Sequence, residues 1–217
     1  MTLPSVAEMR TIGIPVVHAV TTDEIVNRPD FIDVACGIMR ALGARGALHL
    51  RTTRLSGARM HTLAEGLAAI QSLTGAWLIL NDRVDVALAS GARGAQLTSR
   101  SLATSDARRV APALAIGASV HDAEEGRSAV TAGADWLVVP RVPAATNGVT
   151  GSGSWVTTLA RATSVPIVAI GGVQVGHVVA LREQGIHGIA VIRGIWDAPN
   201  AEQAASDYLS AYDHVGL

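Results

Sequence analysis

Short apolar runs alternate along this chain with longer segments in which apolar residues recur at helical spacing, a pattern typical of successive βα units. The short runs are apolar on both faces, as parallel strands covered by helices require. Eight strands are predicted: Ile14–Val20, Ala47–Thr52, Trp77–Asn81, Ala95–Thr98, Leu114–Ser119, Trp136–Pro140, Ile167–Ile170 and Ile189–Ile192. Helices are predicted between and after them: Asp30–Leu42, Met60–Leu73, Val84–Ser90, Thr104–Val110, Ala123–Ala132, Trp155–Ala162, Val175–Gln184 and Ala201–Ala211.

Eight such units within 217 residues predict an α/β protein with a single-domain (β/α)8 TIM barrel, since a doubly wound sheet of this length would contain fewer strands. We assign residues 14–217 to the barrel and residues 1–13 to an N-terminal extension. Binding and catalytic residues of such barrels lie at the C-terminal ends of the strands. The residues that follow the predicted strands are therefore the candidates for chemistry.

Charge and composition exclude several classes of function. The formal net charge is −1 with basic residues spread along the chain, so neither nucleic acid nor a membrane surface is an expected partner. There is no signal-peptide pattern and no apolar run of about 18 residues, and the single cysteine, Cys36, favours a reducing, cytoplasmic location. All 17 basic residues are arginine, which excludes Schiff-base and Walker-type sites because both need a lysine amine.

Glycines follow each of the last two predicted strands. Gly172 has no side chain, so backbone N–H groups beside it can approach an anion, and a helix start is expected beyond Arg193 and Gly194. Barrels of this kind commonly bind phosphate at this place. Tight turns that simply need glycine are the alternative, and the pair of turns favours phosphate.

Acidic and amide side chains follow the third predicted strand. Asn81 and Asp82 open the next helix, where such residues are preferred as N-caps. The same Asp82 carboxylate is also suited to a hard cation shared with ligand phosphates. Both interpretations stay open from the sequence.

Arginine and histidine complete the set of candidates. Arg51 and Arg141 follow strands two and six and are suited to bidentate contact with phosphate or carboxylate, or to ion pairs at the rim. His18, His49 and His121 are expected in or near the barrel mouth. Each is a candidate proton shuttle or a hydrogen-bonded rim residue.

Several motifs together resemble the thiamine phosphate synthase and thiazole tautomerase (TenI-type) superfamily of (β/α)8 barrels. The resemblance runs from His18 to Ile195, and the Asn-Asp-Arg-Val-Asp run from Asn81 and the Ala-Ile-Gly-Gly turn ending at Gly172 are its most specific parts. The other motifs begin at the positions His18, His49, Ser119 and Gly188.

For a synthase, the resemblance implies joining of a pyrimidine diphosphate to a thiazole phosphate with loss of pyrophosphate, with Mg²⁺ and two lysines holding the diphosphate. Asp82 would be one Mg²⁺ ligand, and the second carboxylate would fall at Ser101. The two lysine positions fall at Thr53 and about Gly148.

His18 and Ser101 resemble the tautomerase branch instead, which is implied to move a proton that aromatises a thiazole carboxylate phosphate. The histidine that this branch uses after strand six is Arg141 here. We therefore expect a TenI-type enzyme without a cofactor, whose base is His49, His121 or His18. A synthase that uses Mg²⁺ through Asp82 and a non-catalytic binder of thiamine precursors are the alternatives.

The expected ligand is a small phosphorylated heteroaromatic molecule, and a homo-oligomer is possible. The resemblance implies that the phosphate is held by Gly171, Gly172, Ile192 and Arg193. It also implies that Arg51, Asn81 and Ser119 line the adjoining pocket.

Overall fold

A computed structural model of the chain describes residues 13–140 and 153–213. Eight parallel strands close into a barrel in sequence order, and the last strand pairs with the first through Val17 and Ile189. The strands are β1 Val17–Val20, β2 Gly46–Leu50, β3 Trp77–Asn81, β4 Gly94–Leu97, β5 Ala115–Ser119, β6 Trp136–Pro140, β7 Ile167–Ile170 and β8 Gly188–Val191. The predicted (β/α)8 fold is confirmed. The first strand is shorter than predicted, and Pro15, which has no N–H for a ladder, lies before it.

The helices of the described residues cover the outside of the barrel. They are α1 Asp23–Val26, α2 Phe31–Leu42, α3 Gly57–Thr74, α4 Val84–Ser90, α5 Thr104–Val110, α6 Ala123–Thr131, α7 Gly153–Ala162, α8 Val178–Glu183, α9 Arg193–Trp196 and α10 Ala201–Asp213. Short 3₁₀ turns lie at Gly43–Arg45 and Val175–His177. Two short helices, α1 and α9, were not predicted, since four residues are too few for a periodic pattern.

Helix α3 begins before the predicted start at Met60. The side chain of Ser56 accepts a hydrogen bond from the backbone N–H of Arg59, which is the usual contact of a serine N-cap. The helix ends at Gly75, which has a left-handed backbone with φ 80°. The cap, rather than apolar periodicity, therefore determines where α3 starts.

The barrel interior is filled near its N-terminal end by two indoles. Trp77 and Trp136 are the first residues of β3 and β6, and both are buried. A Cβ on Gly117 would lie 2.1 Å from Cε2 of Trp136, and one on Gly94 would lie 3.1 Å from its Cη2. These glycines leave room for the indole, and polar groups are concentrated at the opposite end of the barrel.

None of the helices in the described ranges has both the length and the apolar character needed to cross a membrane. The predicted N-terminal extension stays a prediction, because residues 1–12 lie outside the described residues.

Candidate active site

Three adjoining cavities lie at the C-terminal ends of the strands. The central cavity, of about 150 Å³, lies inside the barrel and includes His49, Asn81 and Ser119 in its wall. The glycine cavity, of about 360 Å³, lies beyond β7 and β8 and shares Ile170 and Ala190 with the central one. The outer cavity, of about 490 Å³, lies beyond β4 and β5 and shares Thr98, Ser119 and His121 with the central one. The central cavity therefore shares wall residues with each of the other two cavities.

The glycine cavity offers backbone N–H groups to a ligand. Gly171 and Gly172 have φ of 108° and 71°, a region that side chains disfavour. Within the described residues, the N–H groups of Gly172, Arg193 and Gly194 donate no hydrogen bond. Together with the Arg193 guanidinium, which is exposed at this cavity, they suit an anion such as a phosphate monoester.

Tyr208 of α10 forms part of the wall of the glycine cavity and was not predicted from the sequence. Its hydroxyl donates to the carbonyl oxygen of Val173 at 3.0 Å, and the side chain is buried. A Cβ on Gly194 would lie 2.4 Å from this hydroxyl oxygen. Gly194 is thus needed for the close approach of α10, and no local pattern in the sequence shows this contact.

Gln96 of β4, also missed, orients the polar wall of the central cavity. The Trp136 indole N–H donates to Gln96 Oε1 at 2.8 Å, and Gln96 Nε2 donates to Ser119 Oγ at 3.0 Å. Because Ser119 accepts from Gln96, its own O–H is free to donate into the cavity. A polar residue inside an otherwise apolar strand is the signal that identifies Gln96.

Two of the three candidate histidines form a buried pair. His18 Nδ1 lies 2.8 Å from His49 Nε2, and His18 Nε2 lies 2.9 Å from the Pro15 carbonyl oxygen. Burial lowers the pKa of His18 to about 4 and lowers the pKa of His49 well below its usual value. Both imidazoles are therefore neutral near pH 7.

The histidines differ in access to the cavities. His49 lines the central cavity, whereas His18 is fully buried and lies two residues before Val20, the β1 residue that reaches the cavity. This spacing places His18 one layer deeper on the same strand face, so it lies below the mouth, behind His49, and not in the wall of the central cavity. His121 is 62% exposed at the edge of the mouth, 3.2 Å from Glu125.

Asp82 does not cap helix α4, so the N-cap interpretation is wrong. The N-cap is Arg83, which makes no side-chain capping bond, and Asp82 has a left-handed backbone with φ 63°. Its Oδ1 accepts from the Thr98 N–H at 3.1 Å, from the Thr98 hydroxyl at 2.6 Å and from the Ser101 hydroxyl. The carboxylate therefore turns toward the loop after β4 and not toward α4.

Among the residues that the structure describes, Asp82 supplies the carboxylate that a divalent cation could bind at this place. Among the described residues, no group of three histidine, cysteine, aspartate or glutamate side chains could hold a metal. Oδ1 of Asp82 is already hydrogen bonded, which leaves Oδ2. Mg²⁺ commonly binds one or two carboxylates together with substrate phosphates and water, so Asp82 fits as its one protein ligand here.

The loop after β2 is held by Asp23 of α1. Thr53 donates to Asp23 through its backbone N–H at 2.8 Å and its hydroxyl at 2.7 Å. The hydrogen bond from the Thr52 hydroxyl, followed by those from Thr53, lowers the pKa of Asp23. Arg51 lines the central cavity, and its guanidinium forms no hydrogen bond within the described residues. The candidate Arg141 and the position Gly148 lie outside those residues.

Comparison with known proteins finds a matching family and several relatives named thiamine-phosphate synthase. A family model described as thiamine monophosphate synthase matches residues 17–195. The thiamine-phosphate synthase of Methanoregula boonei is 37% identical over 170 residues, which are 76% of this chain and 79% of that protein. The enzyme of the same name from Methanoculleus marisnigri is 33% identical over 201 residues, covering 88% of this chain and 94% of the relative.

Among solved structures, thiamine phosphate pyrophosphorylase from Pyrococcus furiosus aligns with a TM-score of 0.80 and 25% identity, covering 93% of this chain and 97% of that one. These names favour the synthase alternative over the tautomerase interpretation. The barrel, its cavities and the match over nearly all of the described strands lead to one conclusion: this chain belongs to the thiamine monophosphate synthase family.

Proposed function

We propose that this protein is a thiamine-phosphate synthase, which joins a pyrimidine diphosphate to a thiazole phosphate and releases pyrophosphate. The adjacency of the three cavities supports the proposal most directly, because a coupling reaction needs two ligands side by side. The glycine, central and outer cavities measure about 360, 150 and 490 Å³ and share walls. A site for one small ligand would not need the outer cavity.

The thiazole phosphate would lie across the glycine and central cavities. Its phosphate would accept hydrogen bonds from the N–H groups beside Gly172 and Arg193, and its ring would lie against Ile170 and Ala190, which the two cavities share. The Ser119 hydroxyl, oriented by Gln96, can donate to the ring. This end of the site needs no metal and no lysine.

The diphosphate would lie on the side of the mouth occupied by Asp82. The chain contains no lysine, so permanent positive charge facing this group comes from arginine. Among the described residues, Arg51 is the arginine in the wall of the central cavity. Mg²⁺ bound by Asp82 would neutralise charge on the departing pyrophosphate. The hydroxyls of Thr98 and Ser101 hold the carboxylate in place.

Pyrophosphate release from the two substrates in the presence of Mg²⁺ tests the proposal. We expect turnover that falls at least tenfold in Asp82→Asn, because the diphosphate loses its metal ligand. Asp85→Asn is the matched control, since Asp85 lies in α4 and its exposed carboxylate pairs with Arg83. Absence of pyrophosphate at high enzyme concentration would refute synthase activity.

Binding of the thiazole phosphate is tested separately by thermal shift, since a ligand that binds only the folded state raises Tm with its concentration. Gly172→Ala should abolish the shift, because φ of 71° disfavours a side chain. Gly176→Ala is the control, since no atom lies within 4 Å of its added Cβ. A shift without any turnover would support a non-catalytic binder instead.

A TenI-type tautomerase is the second candidate, and the Asp82–Ser101 contact favours it. Ser101 occupies the place beside Asp82 where the synthase resemblance implies a second carboxylate, so the cation site is reduced. Isomerisation of thiazole carboxylate phosphate by the same preparation, without pyrophosphate release from the synthase substrates, would support this candidate. Pyrophosphate release without isomerisation would exclude it.

A further inference from the structure

The peptide unit that follows the glycine turn after β7 is held at both of its polar atoms. The carbonyl oxygen of Val173 accepts a hydrogen bond from the Tyr208 hydroxyl at 3.0 Å. The N–H of the same peptide unit, which belongs to Gln174, donates to His177 Nδ1 at 3.2 Å. On the other side of the turn, Ile170 is the last residue of β7 and pairs in the barrel ladder. The turn is therefore anchored both before and after its two glycines.

The N–H groups between these anchors are available to a ligand. Within the described residues, the N–H groups of Gly172 and Val173 donate to no backbone carbonyl oxygen. Gly171 and Gly172 have φ of 108° and 71°, and glycine has more conformational freedom than any other residue. Hydrogen bonds at the ends of the turn are therefore needed to keep its N–H groups in one direction.

The hydrogen of the Tyr208 hydroxyl is committed to this anchor. A carbonyl oxygen can only accept, so the hydroxyl is the donor in its bond with Val173. Burial raises the pKa of Tyr208, so the hydroxyl keeps its hydrogen. Tyr208 lies in the wall of the glycine cavity, but it cannot donate the same hydrogen to an anion there. Any effect of this hydroxyl on a bound phosphate has to pass through the turn.

The same hydroxyl also lies against the turn after β8. Its oxygen is so close to Gly194 that a Cβ on this glycine would overlap it. The N–H groups of Arg193 and Gly194 donate to no backbone carbonyl oxygen within the described residues, and both residues line the glycine cavity. One buried oxygen atom of α10 is thus in contact with both turns that bound this cavity.

We infer that Tyr208 is a positioning residue for phosphate recognition: its hydroxyl fixes the turn after β7 relative to the turn after β8 and so holds the N–H groups of Gly172 and Val173 in the direction that a phosphate monoester needs. The inference rests on the proposed thiazole phosphate site and gives the C-terminal helix α10 a role in affinity for the phosphate group. Donors that are fixed before binding lose less entropy when the ligand arrives. Loss of the anchor should therefore weaken phosphate binding and leave the bond-forming step unchanged.

Tyr212 provides a matched control one helical turn further along α10. Its hydroxyl also donates to a backbone carbonyl oxygen, that of His187, at 2.6 Å. His187 directly precedes β8, at the N-terminal end of the barrel, and Tyr212 is not part of the wall of the glycine cavity. Tyr208→Phe and Tyr212→Phe therefore each remove one hydroxyl and one hydrogen bond to the backbone, but at opposite ends of β8.

Amide NMR of the full chain titrated with inorganic phosphate tests the inference without any substrate. The backbone N–H resonances of Gly172 and Val173 should shift with phosphate in the wild type. The half-saturating phosphate concentration should rise at least tenfold in Tyr208→Phe and stay within twofold in Tyr212→Phe. Equal values in the wild type and Tyr208→Phe overturn the inference, and so does a wild-type titration in which Gly172 does not respond.

Steady-state kinetics of pyrophosphate release test the role in the proposed reaction. Tyr208→Phe should raise KM for thiazole phosphate at least tenfold, whereas kcat and the KM for the pyrimidine diphosphate should stay within threefold of the wild type. An interaction that holds the ground state and the transition state equally affects KM alone. Tyr212→Phe should leave all three constants within twofold. A fall in kcat with unchanged KM for thiazole phosphate contradicts the inference.

The two experiments separate this inference from the proposed reaction. A phosphate response that depends on Tyr208, without pyrophosphate release, supports the inference and refutes the synthase. Pyrophosphate release with wild-type constants in Tyr208→Phe supports the synthase and refutes the inference. If Tyr208→Phe does not fold, Gly194→Ala, which displaces the hydroxyl from Val173, should raise the half-saturating phosphate concentration at least tenfold. An unchanged value in Gly194→Ala then overturns the inference.

Discussion

Replacing Gly194 by alanine tests the packing that shapes the glycine cavity. The added Cβ would lie 2.4 Å from the Tyr208 hydroxyl oxygen and 3.0 Å from Val191 Cγ1, and Tyr208 is only 4% exposed. The hydroxyl must therefore move by about 1 Å to reach ordinary contact, which breaks its bond to Val173. Overpacking costs about 1–3 kcal/mol and the lost hydrogen bond about 1 kcal/mol, so we expect unfolding to become easier by about 2–4 kcal/mol.

A double-mutant cycle separates the clash between the added Cβ and the Tyr208 hydroxyl from effects of the substitution elsewhere in the protein. Tyr208→Phe alone removes the same hydrogen bond and should cost about 1–2 kcal/mol. In that background the nearest ring atom to the added Cβ is Cζ at 3.3 Å, so Gly194→Ala should cost only about 0–1 kcal/mol. The expected coupling between the two changes is about 2–3 kcal/mol, well above the few tenths found for independent sites.

Urea unfolding followed by tryptophan fluorescence measures each corner of the cycle, since Trp196 is buried in α9 beside Gly194. The slope against denaturant should stay constant, so that the shift in midpoint reports stability. Additive costs in the double variant would refute the reasoning, because they would show that Gly194 and Tyr208 do not contact each other as the structure has it.

Three further predictions concern the mouth and the buried histidine. Ser101→Asp places a second carboxylate beside Asp82 and should tighten Mg²⁺ binding at least tenfold by calorimetry, whereas Ser99→Asp should not. Burial lowers the pKa of His18 to about 4, so the neutral form is favoured by folding; stability is complete above about pH 6.5 and should fall by about 3 kcal/mol toward pH 4. Urea midpoints against pH measure this loss, which His18→Leu should reduce; part of the loss should remain, because burial also lowers the pKa of His49. Asp23→Ala removes the acceptor of four hydrogen bonds from the loop after β2 and should lower stability by about 1–3 kcal/mol, measured by thermal unfolding.

Most strand and helix positions follow from local patterns, because a strand covered on both faces must be apolar throughout and a helix must show one apolar face. Elements without a pattern were missed: α1 and α9 have four residues each, and the start of α3 depends on the Ser56 cap. The glycine turn at Gly172 was recognisable, since glycine alone tolerates its backbone conformation.

The polar groups of the mouth were harder to predict. Asp82 follows its strand like an N-cap, yet its carboxylate turns to Thr98 and Ser101 of the next strand's loop. Side-chain direction at a strand end depends on which neighbour offers a donor, and that neighbour is distant in sequence. Tyr208 was missed for the same reason, whereas Gln96 carries a local signal, a polar side chain inside an otherwise apolar strand.

By itself the order of apolar runs determined that this chain closes into an eight-stranded barrel and that its chemistry lies at one end, because burial of both strand faces admits few other arrangements. The absence of lysine from the sequence likewise means that arginine is the side chain that supplies permanent positive charge to any phosphate site. Only the tertiary structure decided which polar atoms meet. Three contacts show this: His18 with His49, Asp82 with Ser101, and Tyr208 with Gly194. Each joins residues 14 to 31 positions apart in the sequence, and no local preference encodes the distance or direction of such a contact.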